Sequence, residues 1–171
     1  MLRAYLTQTS SNPEDVKQAS YDYLEVLDVY NKNNIPLSPE LLNNISTSQY
    51  ILEEYQKCIP FYKNCIHFNN VYYNIDESDE NVYMYHPKNI TITYNISCAY
   101  RGLGQYDKAN QILKRLIETN PYYFDSYISI AENEMKQAHY QEAIHYLNEC
   151  IRLCEPHLPS SVFFVNSRDY P

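Results

Sequence analysis

The chain has 171 residues, with 13 Lys and Arg against 21 Asp and Glu, a formal net charge of −8 and a pI near 5.0. Such an acidic surface repels phosphate backbones and anionic headgroups, which argues against direct nucleic-acid binding and against electrostatic adhesion to membranes. No stretch approaches the ~20 apolar residues that span a bilayer, and the opening Met1-Leu-Arg-Ala-Tyr-Leu lacks the apolar core of a secretory signal.

Five cysteines with no CxxC pair fit a reducing compartment. The Asn-X-Ser/Thr triplets at Asn44, Asn89 and Asn95 are then read as chance. The chain is expected to be soluble and intracellular. Only 2 Gly accompany 20 Tyr, and few glycines favour uninterrupted helices, since each interior Gly costs about 1 kcal/mol relative to Ala.

In chain order, Val16, Ala19, Tyr23, Leu24, Leu27 and Tyr30 recur at helical spacing and predict a helix over 14–31. Pro13 stands at its start, where a missing N–H costs nothing, and Ile35-Pro36 follows its end. Residues 1–37 thus read as an N-terminal helix and linker, a partial repeat. Ser38 as N-cap, Pro39 at the first position and Glu40 in the first turn open the next helix, and 38–70 reads as a helix pair. From 71 to 89, Tyr, Asn and acidic residues occur without helical period. An inter-repeat loop this long is expected to be functional or disordered, with the acidic run Asp76-Glu77-Ser78-Asp79-Glu80 as a solvated face.

Two further pairs are predicted at 90–102 with 106–119 and at 123–137 with 140–154, in units 90–121 and 122–156. Asn120-Pro121 and Glu155-Pro156 close them, because the residue before Pro is disfavoured in a helix. The tail, 157–171, loses the pattern. Its Val162-Phe-Phe-Val165 is expected to cover the end of the array, since a solenoid end needs a cap.

The units repeat one another. Tyr106, Ala109 and Leu113 recur 34 residues later as Tyr140, Ala143 and Leu147, and Ile96 recurs as Ile130. A third copy is displaced by 51: Ile45 matches Ile96, Tyr55 matches Tyr106 and Cys58 matches Ala109. The displacement is one period plus an insertion of 17. Small residues recur on the first helix (Ser46, Ser97, Ala131) and on the second (Cys58, Ala109, Ala143), as a close helix crossing requires. Ile45, Ile96, Ile130, Tyr62, Leu113 and Leu147 are expected to fill the layer between helices.

A 34-residue period of two helices resembles the tetratricopeptide repeat (TPR). The expected fold is therefore all-α, a TPR-type helical-hairpin solenoid of about three repeats plus an N-terminal helix. The resemblance implies a concave groove lined by the first helices. By alignment that groove presents Asn43, Asn44 and Thr47, then Tyr94, Asn95 and Cys98, then Ile128, Ser129 and Glu132. Asn44 and Asn95 occupy equivalent places, and an amide carries both donor and acceptor for a peptide backbone. The cationic clamp of TPR co-chaperones is not expected, because its places carry Asn43, Thr47, Asp125 and Ser129, with only Asn95 in agreement.

Four blocks in order carry a narrower resemblance: Ile35-Pro-Leu-Ser-Pro-Glu-Leu-Leu-Asn-Asn-Ile45, Tyr72-Tyr73-Asn74, Ile92-Thr-Tyr-Asn-Ile-Ser-Cys-Ala99 and Asn120-Pro-Tyr-Tyr-Phe-Asp-Ser-Tyr127. They resemble the TPR scaffold subunit of the RNA polymerase II-associated factor (PAF) complex, although that family is far longer. The resemblance implies a non-catalytic scaffold of transcription elongation and linked histone modification. PAF-complex subunits would be its partners and the nucleus its place. The alternative is a TPR adaptor, nuclear or cytoplasmic, that binds a peptide or helix unrelated to transcription.

No phosphate loop, Ser/His/Asp arrangement or carboxylate pair stands out from the helical pattern, so neither catalysis nor a cofactor is expected. Cys150 and Cys154 share a helix face near His145, a spacing that could hold a metal. Cys150 also falls on a core position of the repeat, where free Cys is commonly buried. No metal is expected.

Overall fold

A computed structural model describes residues 12–154, which form eight helices and no strand. They are α1 (Pro13–Lys32), α2 (Pro39–Ile51), α3 (Tyr55–Tyr73), α4 (Glu80–Tyr83), α5 (Ile90–Gly102), α6 (Tyr106–Thr119), α7 (Phe124–Lys136) and α8 (Tyr140–Cys154). Apart from the one-turn α4, each helix packs on its neighbours in chain order: α1 on α2, α2 on α3, α3 on α5, and so on to α8. The pairs α2/α3, α5/α6 and α7/α8 are the three repeated hairpins. The fold is an all-helical solenoid.

Local chemistry starts the first two helices as the sequence predicts. The Asn12 side chain accepts from the Glu14 N–H, and the Ser38 Oγ accepts from the Leu41 N–H at 3.2 Å. Five helix ends share one closure. In each, a residue turns left-handed: Asn34 (φ 51°), Glu53 (φ 61°), Asn74 (φ 53°), Gly104 (φ 70°) and Ala138 (φ 61°). The next N–H then reaches the carbonyl five residues back, as in Ile35 to Tyr30, Glu54 to Gln49, Ile75 to Asn70, Gln105 to Tyr100 and His139 to Glu134. This satisfies carbonyls that a helix end leaves open.

The core lies in successive layers. Tyr23, Leu41 and Ile45 join α1 to α2. Cys58, Tyr62, Ile66, Ile96 and Ala99 join α3 to α5, and Leu113, Leu116 and Ile130 join α6 to α7. The six small residues of the helix crossings are all buried, none more than 2% exposed. Leu147 departs from expectation. It is 36% exposed and shares an open stripe of α8 with Tyr140, Ile144 and Ile151, because no described helix packs on the outer face of α8. The predicted cover, Val162 to Val165, lies outside the described residues.

The insertion also differs from the expected irregular loop. Residues 74–89 hold α4 and are fastened to α3 by a polar network. The Asn89 amide, fully buried, donates to Asn70 Oδ1 and to the Tyr83 carbonyl, both at 2.7 Å, while its Oδ1 accepts from Asn69 at 3.1 Å. Asn70 in turn donates to Glu77 at 3.0 Å, and His67 Nδ1 lies 2.9 Å from the same carboxylate. These contacts, the Asn70 amide first, hold the Glu77 carboxyl below its ordinary value. Thr93 Oγ1 donates to the Met84 carbonyl at 2.5 Å, and Met84 drops into the α3/α5 layer. The insertion is an ordered strap across the second hairpin.

Two stability outcomes follow from this packing. Leu113→Ala should lower unfolding free energy by about 2–5 kcal/mol, since Leu113 is 1% exposed. Leu147→Ala should cost less than about 1.5 kcal/mol, and urea denaturation of both variants checks the contrast. Ala138→Gly should stabilise the fold by about 0.5–1 kcal/mol, because a side chain in the left-handed region costs roughly 1–2 kcal/mol and glycine returns part of that gain as chain entropy. A lower denaturation midpoint for that variant would contradict the reading.

Candidate functional site: the face of the first helices

The first helices α2, α5 and α7 bring their equivalent residues onto one face. Thr47, Asn95 and Cys98 line a cleft of about 290 Å³ together with Tyr50, Ile51 and Tyr62. Tyr50 also lines a second cleft of about 680 Å³, with Tyr55, Arg101, Tyr106, Glu132 and Met135 among its walls. Tyr50 lines both clefts, and together they carry residues of all three hairpins; the pair is called the trough below.

Hydrogen bonds brace its walls. Tyr94 Oη lies 2.9 Å from Ser129 Oγ and links α5 to α7. One turn along, Arg101 Nη1 donates to Glu132 Oε2 at 2.5 Å, a second α5–α7 link. Both side chains of that pair are partly exposed, so it contributes at most about 1 kcal/mol and positions more than it stabilises. Thr47 Oγ1 is 3.3 Å from Tyr62 Oη, tying α2 to α3 beneath the trough. Burial pushes the Tyr94 hydroxyl up to about 12 despite its bond to Ser129. It therefore stays neutral and keeps its proton for hydrogen bonding. The Cys98 thiol is likewise raised by burial, which leaves it a poor nucleophile.

The predicted groove residues separate into three groups. Thr47, Asn95, Cys98 and Glu132 line the trough. Tyr94 and Ser129 brace it, and Ser129 is itself buried. Asn44 donates to Tyr23 Oη of α1 at 3.2 Å, so its amide already holds an internal partner. Asn43 is half-buried, and Ile128 is exposed. The Asn95 side chain makes no hydrogen bond among the described residues and keeps donor and acceptor for a ligand.

The trough also contains residues that the alignment did not pick out: Tyr50, Ile51, Arg101, Met135 and Lys136. The signal for them is in the sequence. Tyr50, Arg101 and Met135 each lie three residues beyond a predicted groove residue, on the same helix face. Gly102 matters for a different reason. A Cβ there would stand 2.6 Å from the Tyr55 ring, so its absence lets that ring lie against the backbone of α5.

The other candidates are structural. Cys58 and Cys65 are fully buried, and burial pushes their thiols up to about 11 and about 12. Cys150 is buried, and no group of three His, Cys, Asp or Glu among the described residues could hold a metal ion. Asn89 is wholly buried inside the strap network, where a glycan has no room.

Comparison with known proteins agrees with this geometry. Residues 91–123 and 124–157 match the tetratricopeptide repeat family. Over these two stretches the chain is similar to tetratricopeptide repeats. The matched stretches contain α5/α6 and α7/α8. Among solved structures, the chain is similar to nearly identical TPR-like repeats of Podosopora anserina, described for a kinesin light chain, at TM-score 0.65 and 14% identity, covering 93% of this chain and 76% of that one. It is also similar to MamA, at TM-score 0.57 and 18% identity, covering 90% of this chain and 84% of that one. At such identities the likeness is one of fold, and the TPR fold is in general a non-catalytic frame for protein–protein contact.

Gly102→Ala tests how the trough is shaped. The Tyr55 ring should swing away, and its NMR signals should shift. Stability should stay within about 1 kcal/mol of the parent, because helix propensity gained at position 102 offsets the displaced ring. Unmoved Tyr55 signals would show that this glycine does not set the wall.

Proposed function

We propose that this protein is an interaction scaffold whose trough holds an extended peptide or a helix of another protein. The observation that carries the reading is the sharing of Tyr50 by the two clefts, with the Asn95 side chain in one of them unbonded among the described residues. Apolar walls of Tyr50, Ile51 and Met135 supply buried area, and Asn95 supplies backbone recognition without demanding one sequence. The Arg101–Glu132 pair marks one end with a charge of each sign. No step of this function requires a nucleophile or a cofactor, and the neutral, buried thiols suit that role.

A narrower reading assigns the scaffold to a PAF-like complex in the nucleus, supporting transcription elongation and linked histone modification. It rests on the four sequence blocks that resemble the TPR subunit of that complex, in order and across about two-thirds of the chain. The alternative, an adaptor with an unrelated partner in nucleus or cytoplasm, is equally compatible with the trough. Affinity purification from the source organism separates them: co-purifying polymerase-associated subunits support the first, and another stoichiometric partner without them removes it. With the partner in hand, Asn95→Ala should weaken binding about 3- to 10-fold, the worth of one lost hydrogen bond of about 1 kcal/mol, and leave the melting temperature unchanged. Unchanged affinity would make the amide a bystander.

A further inference from the structure

The strap builds a further cleft, which shares no lining residue with the trough. About 480 Å³ in volume, it lies between α3, the strap and α6. Its floor is apolar: Met84, Tyr85, Ile96, Tyr100 and Ile112 line it. Three cations stand around that floor, Lys63 from α3 and Lys114 and Arg115 from α6. Glu80 and Glu118 line the cleft as well, so its lining carries three cations against two carboxylates, an excess of one positive charge in a chain of net charge −8.

The carboxylates available to these cations hold them loosely. Lys63 Nζ is 3.9 Å from Glu80, with both side chains more than half exposed. Arg115 pairs with Glu118 one turn along its own helix at 2.8 Å, again in solvent. Such pairs contribute between nothing and about 1 kcal/mol and exchange readily for an incoming carboxylate. Among the described residues Lys114 has no carboxylate partner, and its Nζ sits 5.7 Å over the Tyr146 ring. The cleft thus combines an apolar floor with one cation unpaired among the described residues and two held by exposed, exchangeable pairs.

We propose that this cleft is a second docking surface, and that its occupant is an acidic amphipathic segment of another protein. Its carboxylates would meet Lys63, Lys114 and Arg115, and one apolar side chain would rest on Met84. Charge complementarity selects the occupant: a basic segment would face Lys114 unscreened, and a neutral apolar one would leave the cations without use. The site is independent of the trough. It depends on the strap, residues 74–89 between α3 and α5.

The two internal methionines make the test direct, because Met84 lines this cleft and Met135 lines the trough. The full chain, labelled with carbon-13 at its methionine methyl groups, is titrated with a short synthetic amphipathic peptide of leucine and glutamate. The control is the same peptide with glutamine in place of glutamate. The acidic peptide should shift the Met84 methyl and leave Met135 in place, and the control should shift neither. Lys63→Glu, Lys114→Glu and Arg115→Glu together should abolish the Met84 shift, and the milder Lys114→Gln should weaken it severalfold. A shift of Met135 alone would overturn the inference and favour the trough. An unmoved Met84, or equal shifts by both peptides, would equally overturn it.

Discussion

The solenoid depends on one backbone event, the left-handed residue that ends five of its helices. Once φ turns positive, the following N–H closes on the carbonyl five residues back, and the chain leaves the helix at a fixed angle. In the hairpins this happens at Glu53, Gly104 and Ala138, three equivalent places. The returning helix is then delivered antiparallel, with Cys58, Ala109 or Ala143 available to the small residue of its partner. The layers of buried Ile, Leu and Tyr can form only because that angle repeats. With only 2 glycines in the chain, the left-handed role falls to Asn at the exits of α1 and α3, the residue that tolerates it best after glycine. At Glu53 and Ala138 it falls to residues that do not favour it. Packing of the hairpin holds them there.

A second constraint joins the first hairpin to the next. Seventeen surplus residues would separate α3 from α5 if they did not fold, and the stacking of hairpins would lose a layer. The strap prevents this with asparagines. Each Asn side chain offers two donors and one carbonyl oxygen, and Asn89 uses both kinds in a space closed to water. Met84 then supplies the apolar mass that Tyr62 and Ile96 need opposite them. What composition shows as an Asn- and Tyr-rich stretch is, in three dimensions, a strap fastened by amides.

That contrast explains what the sequence could reveal. The helices over 90–102 and 106–119 are legible to the residue because periodicity, small crossing residues and turn chemistry agree there. The strap is not legible, since its order comes from bonds between Asn69 or Asn70 and Asn89, about 20 residues apart, and leaves no period. The exposure of Leu147 is invisible for a related reason: the repeat marks its place in the hairpin, while burial depends on what packs against α8, and no described helix covers it. For the trough, alignment located the face and stopped one turn short of Tyr50, Arg101 and Met135. It could not tell Asn95, which is free among the described residues, from Asn44, which is bonded to Tyr23. Equivalent positions in a repeat need not have equivalent neighbours.

The interface between the last two hairpins shows the same limit and has a consequence for the trough. Where α5 carries Ala99 and Tyr100, α7 carries Asn133 and Glu134, both buried. Asn133 donates to Asn110 Oδ1 at 2.7 Å, Asn110 donates to Glu134 at 2.9 Å, and the other Glu134 oxygen lies 2.9 Å from His139 Nδ1. Apolar layers tolerate small slips between helices, whereas a linked set of directed bonds has one register, and a slip would strand a buried carboxylate. The same α7 carries Ser129 and Glu132, which brace the trough to Tyr94 and Arg101. The buried network on one side of α7 therefore sets the distance across which the trough residues on the other side must reach. The spacing of the binding face is decided in the core behind it.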